Sequence, residues 1–170
     1  FTLAVTHNAN AEEGVALIIG NNDYESIPSL NNAENDAQDI ANKLKELGWK
    51  IILEKNATRR NLNKALQRFE SEALNTKKTI IFYAGHGIEY LGKNYIIPTD
   101  SLLESELDLR FEAISVDELL ETVKRTESQL NLLILDSCRD NPLPNKKRGL
   151  SRGLTVQSIP KNNIGTAIIY

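Results

Sequence analysis

The stretch Ile80-Ile81-Phe82-Tyr83-Ala84-Gly85-His86-Gly87 decides the fold of this 170-residue chain, because an apolar run stops there at a histidine flanked by glycines. A second run, Leu132-Leu133-Ile134-Leu135-Asp136-Ser137-Cys138, ends at the single cysteine of the sequence. Short apolar runs of this kind are typical of strands buried on both faces of a parallel sheet. The residues between them suffice for the helical crossover that parallel strands require. The sequence therefore predicts parallel strands that bring His86 and Cys138 to one edge of a sheet, where open α/β sheets place their sites.

Strand and helix patterns alternate along the rest of the chain. The apolar run Val15–Gly20 predicts a first strand, and apolar residues at helical spacing between Ala33 and Leu47 predict a helix that stops before Gly48. This alternation predicts an α/β fold, a three-layer sandwich with a mostly parallel sheet flanked by helices. We expect one domain over residues 15–170, with its last strands missing, because the final apolar run reaches Tyr170.

Composition excludes several classes of function. With a net charge of −3 and 41% apolar residues, the chain lacks the basic footprint of a nucleic-acid-binding protein. A single cysteine excludes a disulfide framework and a cysteine-rich zinc site, and no stretch is long and apolar enough to span a bilayer. The acids between Asp100 and Asp108 lack EF-hand spacing, so calcium dependence is not inferred. We expect no metal and no cofactor.

Residues 1–14 form a leader with two interpretations. Its apolar start, Phe1–Val5, and the small-residue sequence Ala9-Asn10-Ala11 are compatible with the tail of a secretory signal peptide, which would place the protein in the periplasm or outside the cell. The alternative is a flexible leader on a cytoplasmic protein. The sequence leaves both open.

A cysteine and a histidine at two strand exits are a candidate nucleophile and base. A cysteine attacks as its thiolate, and an adjacent imidazole can form that thiolate and later protonate the leaving amine. The glycines around His86 allow close approach of a substrate, and the N–H groups of Gly87 and Cys138 could form an oxyanion hole. The alternative is a small buried cysteine and a turn histidine. The matching topology of the two exits favours catalysis.

The stretch Tyr83-Ala84-Gly85-His86-Gly87 together with Leu135-Asp136-Ser137-Cys138-Arg139 resembles the caspase-like cysteine peptidases, which include caspases, metacaspases and bacterial relatives. Further segments resemble the bacterial branch: Val15–Asn21, Gly92–Asp100, Asp136–Pro142 and Gly165–Tyr170. The resemblance implies a caspase-type fold and peptide-bond hydrolysis by a Cys138/His86 dyad, with the Gly87 N–H as an oxyanion donor. It also implies that this chain is mostly the large-subunit portion, and that the small-subunit portion would follow Tyr170.

The charge of the pocket residues predicts the specificity. Asp136 stands two residues before the cysteine, where caspases carry a glutamine of a basic pocket that takes aspartate. Asp36 lies in Leu30–Ala37, which resembles the metacaspase segment that supplies another pocket acid. Two carboxylates in one pocket favour a guanidinium or ammonium group, so we predict a cysteine endopeptidase that cleaves peptide or protein substrates after Arg or Lys. For Asp36 there is an alternative, since an acid in the first turn of a helix complements the helix dipole.

Two further hypotheses concern self-cleavage and the alternative to a catalytic function. The basic run Lys146-Lys147-Arg148 and Arg152 follow the cysteine, so an enzyme specific for basic residues could cut itself there; the alternative is an ordinary solvated charge run. The rival to a peptidase is a non-catalytic caspase-like interaction module. Such modules usually lose the dyad, and this chain keeps it.

Overall fold

The computed structural model describes residues 13–138, 150–152, 154–156, 159 and 165–170. Within these residues the strands are β1 (Val15–Gly20), β2 (Lys50–Lys55), β3 (Lys78–Tyr90), β4 (Lys93–Ile96), β5 (Ile114–Ser115), β6 (Leu130–Cys138), β7 (Leu150–Arg152) and β8 (Thr166–Ile169). The helices are α1 (Ala33–Glu46), α2 (Arg59–Ala73), α3 (Leu109–Glu112) and α4 (Val116–Arg125), with a 3₁₀ turn over Glu106–Asp108.

The main sheet is parallel and has the strand order β2-β1-β3-β6-β8. Its central strand, β3, extends beyond the others, and its second half pairs antiparallel with β4 and β7, while β4 pairs with β5. The predicted α/β class with a mostly parallel sheet is therefore confirmed. Parallel pairing brings the carboxyl ends of β1, β3 and β6 to the same edge.

Helices cover both faces of the sheet. Alternate side chains of a strand point to opposite faces, so β1 contributes to two separate cores. On one face α1 packs against a cluster that includes Ala16, Ile18, Phe82 and Ala84. On the other face α2 and α4 form the larger cluster together with the sheet. Phe69 of α2 and Leu119 of α4 lie in this cluster with the strand residues Leu17, Ile19, Ile81, Tyr83 and Leu133. This arrangement is the predicted three-layer sandwich.

Local sequence sets the ends of the helices. The Thr58 side chain accepts a hydrogen bond from the Asn61 N–H at the start of α2, and Ser115 does the same for the Glu118 N–H at the start of α4. Gly48, just beyond α1, has a φ of +85°, the left-handed conformation that glycine adopts most readily.

The histidine strand is longer than its apolar run suggested. We expected β3 to end at Ala84, with His86 at its exit, but β3 continues to Tyr90 and holds His86 inside the strand. The extension exists because β4 folds back on β3 through a two-residue turn at Leu91 and Gly92, which have φ of +51° and +77°. Two consecutive positive φ values characterise the tight hairpin turn that matches strand twist. The hairpin pairing with β4, and not the apolar run, therefore sets the end of the strand.

Some sequence-based hypotheses fall on residues that the structure does not describe. Residues 1–12 of the leader and the basic run Lys146-Lys147-Arg148 lie outside the described residues, as do the side chains of Cys138 and Arg152. Over the described part of the chain, none of the helices has the length and apolar character needed to cross a membrane.

The loop after β1 is fixed by the fully buried side chain of Asn21. Its amide nitrogen donates to the Ile97 carbonyl at 3.1 Å, and its amide oxygen accepts the Ala57 N–H at 2.9 Å. We expect Asn21→Ala to lower the free energy of unfolding by about 1–3 kcal/mol, because it leaves the buried Ala57 N–H unpaired, whereas the Ile97 carbonyl keeps the Tyr83 hydroxyl as a neighbour at 3.2 Å. Urea denaturation measures the free energy of unfolding of the wild type and of the variant. The exposed Asn42→Ala should change stability by less than about 0.5 kcal/mol, and an equal loss in both variants would contradict the bridging role.

Candidate active site

Strands β3 and β6 are in register where the two candidate catalytic residues lie. His86 pairs with Cys138, and Gly85 pairs with Ser137. Adjacent strands lie about 4.8 Å apart, so the backbones of the histidine and the cysteine are neighbours at one edge of the sheet. Cys138 is the last residue of β6, whereas β3 continues past His86.

The imidazole of His86 is buried, with 3% of the residue exposed, and is held by a backbone carbonyl. Its Nε2 lies 2.7 Å from the carbonyl oxygen of Pro28, in the loop after β1. A carbonyl oxygen only accepts hydrogen bonds, so Nε2 carries the proton, and the lone pair of the neutral ring is on Nδ1. The ring of Tyr24 lies against the imidazole, with centroids 4.6 Å apart and planes tilted by 53°.

Two buried tyrosines bind the backbone of His86. The His86 N–H donates to the Tyr24 hydroxyl at 2.8 Å, and the Tyr83 hydroxyl donates to the His86 carbonyl at 2.7 Å. The same carbonyl accepts the Ile97 N–H at 3.1 Å. Both the backbone and the ring of the histidine are therefore fixed.

The glycines flanking His86 serve different purposes. A Cβ on Gly85 would lie 2.7 Å from the Tyr24 hydroxyl and would also collide with that of Tyr83, so this glycine makes room for the two hydroxyls. A Cβ on Gly87 would lie 2.8 Å from Leu154. Since the Ile97 N–H bonds the carbonyl of His86, strand alternation directs the Gly87 N–H away from β4, to the side on which β6 ends.

A cavity of about 380 Å³ lies beside this edge and brings the two predicted pocket acids together. Asp36 comes from the first turn of α1 and Asp136 from the end of β6, and both residues are exposed. The lining consists of the loop after β1, the start of α1 and the ends of β3 and β6: Ser29, Leu30, Asn31, Asn32, Ala33, Asp36, Ala84, Gly85 and Asp136. The cavity is thus acidic and opens next to the residue before His86.

A smaller cavity of about 210 Å³ lies at the end of β6 and is lined by Leu135, Asp136, Ser137, Leu154 and Tyr170. The Asn94 side chain fixes the segment that carries Leu154, because its amide nitrogen donates to the Thr155 carbonyl at 2.6 Å and its amide oxygen accepts the Thr155 N–H at 2.9 Å.

Among the residues that the structure describes, no group of three His, Cys, Asp or Glu side chains could hold a metal ion.

Three contributors to the site were not predicted from sequence. The Pro28 carbonyl is a backbone atom, and no residue pattern marks it. Tyr24 gave a weak signal, as the one aromatic residue in the polar loop between Asn21 and Ser29. Leu154 reaches Gly87 from a segment that follows the cysteine by sixteen residues, and its contact depends on tertiary packing.

Comparison with known proteins points to one family. A family model described as the caspase domain, Peptidase C14, matches residues 13–165. Human mucosa-associated lymphoid tissue lymphoma translocation protein 1 is 28% identical over 129 residues, which cover 76% of this chain and 15% of the human protein. Caspase-1 of Sus scrofa is 25% identical over 131 residues, which cover 74% of this chain and 30% of that protein. The chain thus spans less than a third of the length of these relatives.

Solved structures show the same fold. The Drosophila initiator caspase Dronc matches with a TM-score of 0.59 and 17% identity, covering 84% of this chain and 61% of Dronc. A Geobacter sulfurreducens protein matches with a TM-score of 0.57 and 21% identity, covering 74% of this chain and 50% of that protein. The α/β sandwich described above is therefore a caspase-like fold.

Proposed function

Because this chain belongs to the caspase domain family, we propose that it is the core of a cysteine endopeptidase that cleaves peptide bonds after Arg or Lys. The observation that carries the proposal is the acidic cavity, in which Asp36 and Asp136 lie beside the strand edge formed by His86 and Cys138. A guanidinium or ammonium group is the side chain that two adjacent carboxylates favour. The segments Gly92–Asp100 and Asp136–Pro142 support a place in the bacterial, metacaspase-like branch.

The proposed reaction uses the histidine tautomer described above. The Nδ1 of His86 takes the proton of the Cys138 thiol, and the thiolate attacks the scissile carbonyl carbon. The N–H groups of Gly87 and Cys138 stabilise the oxyanion. The imidazolium then protonates the leaving amine as the C–N bond breaks, and water hydrolyses the thioester to release the acid and the thiol. The Pro28 carbonyl keeps the ring oriented and stabilises its charged form.

Residues 15–170 supply the large-subunit-like portion in this proposal, and a small-subunit segment after Tyr170 completes the substrate groove. Every activity assay therefore uses the full-length protein. Self-cleavage within Lys146–Arg152 would follow from the same specificity, and it would appear as a fragment whose new carboxyl terminus is Lys or Arg.

Mass spectrometry of peptide-library cleavage tests the specificity. We expect products that end in Arg or Lys, and we expect none from Cys138→Ala, which has no nucleophile. Products that end in Asp would overturn the acidic-pocket assignment. An absence of Cys138-dependent products, together with no labelling of Cys138 by an arginine chloromethylketone, would favour the non-catalytic interaction module.

A further inference from the structure

We propose that Tyr24 is a positioning residue that holds His86 in the tautomer and orientation needed for proton transfer, a role that rests on the peptidase function proposed above. Tyr24 contacts His86 twice, since its hydroxyl accepts the backbone N–H and its ring lies against the imidazole. It is buried, with 8% of the residue exposed.

The need for Tyr24 arises from the way β1 ends. The last bond along the β1 side of β3 runs from the Asn21 N–H to the Ala84 carbonyl, at 3.0 Å. In a strand, residues two apart direct their backbone polar groups to the same side, so the N–H and carbonyl of His86 face the space beyond β1. Buried backbone groups require partners. The Tyr24 hydroxyl occupies the place that a longer β1 would have filled.

The two tyrosine hydroxyls complete a closed chain of hydrogen bonds that starts and ends on His86. The His86 N–H donates to Tyr24 at 2.8 Å, and the Tyr83 hydroxyl donates to the His86 carbonyl at 2.7 Å. The hydroxyls lie 3.3 Å apart, and the Tyr83 hydroxyl has two carbonyls within reach, that of His86 at 2.7 Å and that of Ile97 at 3.2 Å. With the Tyr83 proton on either carbonyl, Tyr24 is the donor between the two hydroxyls. Bonds in such chains polarise and strengthen one another. Gly85 is required because any side chain there would displace both hydroxyls.

The position of Tyr24 along the chain connects this clamp to the imidazole. Tyr24 and Pro28 belong to the same loop, and the Pro28 carbonyl accepts the Nε2–H of His86 at 2.7 Å. The loop therefore holds one residue at two points, the backbone N–H and the ring. Without the Tyr24 hydroxyl, the loop loses its hydrogen bond to the His86 backbone, the attachment nearest to Pro28 on β3, and the bond between Pro28 and the ring loosens. A looser bond lets the ring populate the other tautomer, in which Nδ1 carries the proton and cannot accept one from the thiol.

Kinetics of Tyr24→Phe in the full-length protein provide the first measurement. Phenylalanine keeps the ring contact and removes the hydroxyl. We expect kcat for an arginine substrate to fall about 10- to 50-fold with KM unchanged within about twofold, because small misplacements of a catalytic group lower the rate while leaving substrate binding intact. Tyr95→Phe is the matched control, since Tyr95 is a half-buried tyrosine of the adjacent strand β4 that makes no hydrogen bond to His86 in the described structure. It should leave both constants within about twofold.

The second measurement determines the tautomer of His86 by NMR, and it requires no peptidase activity. We expect the ¹⁵N spectrum of histidine-labelled protein at a pH where the ring is neutral to show a protonated Nε2 and an unprotonated Nδ1 for His86. The signal is assigned by its loss in His86→Gln. In Tyr24→Phe both nitrogens should move towards the averaged shifts of mixed tautomers, whereas Tyr95→Phe should match the wild type.

The two readouts separate the failure of this inference from failure of the peptidase proposal. A protein without peptidase activity whose His86 tautomer changes in Tyr24→Phe would refute the proposed function and keep the positioning role. Unchanged tautomer signals in Tyr24→Phe would overturn the positioning role. In a protein that does cleave the arginine substrate, a kcat of Tyr24→Phe equal to that of Tyr95→Phe would also overturn it. If Tyr24→Phe does not fold, the spectrum of the wild type still tests the positioning role, because mixed tautomers of His86 in the native protein would overturn that role.

Discussion

Replacement of His86 with glutamine should lower kcat for an arginine substrate by about 10³-fold, because removing a positioned general base typically costs 10²- to 10⁴-fold. Glutamine is similar in size to histidine, and its side-chain amide can still donate to the Pro28 carbonyl, which now accepts Nε2–H at 2.7 Å. It has no basic nitrogen to take the thiol proton. Steady-state kinetics in the full-length protein measure the loss, and we expect KM to change little because the acidic cavity remains intact.

Two comparisons make this result specific to the dyad. His7 is the other histidine of the chain, and His7→Gln should retain wild-type kcat. The residual activity of His86→Gln should rise as the pH is raised, because without the imidazole the thiolate forms only in more alkaline solution. A kcat of His86→Gln within about tenfold of the wild type would exclude His86 as the general base.

The adjacency of β3 and β6 could be predicted from sequence for a simple physical reason. Strands buried on both faces must be apolar throughout, and the runs that end near His86 and Cys138 have that character. Parallel pairing then fixes which ends of the strands meet. The shared cavity of Asp36 and Asp136 was predicted through the family resemblance, since the two residues are one hundred positions apart and spacing alone carries no such information.

The supports of His86 could not be predicted in this way. The path of the loop after β1 depends on Asn21, whose amide bonds reach Ala57 and Ile97, and both partners come from distant parts of the chain. That path places the Pro28 carbonyl and the Tyr24 hydroxyl on the histidine. Gly85 illustrates the consequence, because its sequence position suggested close approach of a substrate, whereas its missing side chain accommodates two tyrosine hydroxyls.

Neutralising both pocket acids is the second change with a large expected effect. Asp36→Asn and Asp136→Asn should each lower kcat/KM for an arginine substrate about tenfold, and the double variant about 100-fold, since a hydrogen bond to a charged group contributes about 1.5–3 kcal/mol. A tenfold loss corresponds to about 1.4 kcal/mol, near the lower end of that range. We expect the lower end because both residues are exposed and their charges are screened by solvent. Raising the ionic strength should weaken cleavage of the same substrate by the wild type.

The helix-dipole interpretation of Asp36 predicts a different outcome, and Glu34 provides the matched control. Glu34 also lies in the first turn of α1, but it does not line the cavity, and its carboxylate accepts the Asn56 amide at 2.8 Å. If Asp36 acts only on the dipole, Asp36→Asn and Glu34→Gln should lower stability by less than about 1 kcal/mol and leave kcat/KM unchanged. If Asp36 binds the substrate, its variant alone loses activity towards arginine. A peptide with a neutral residue in place of the arginine should then be cleaved equally by all of these proteins, because it has no charge for the carboxylates to select.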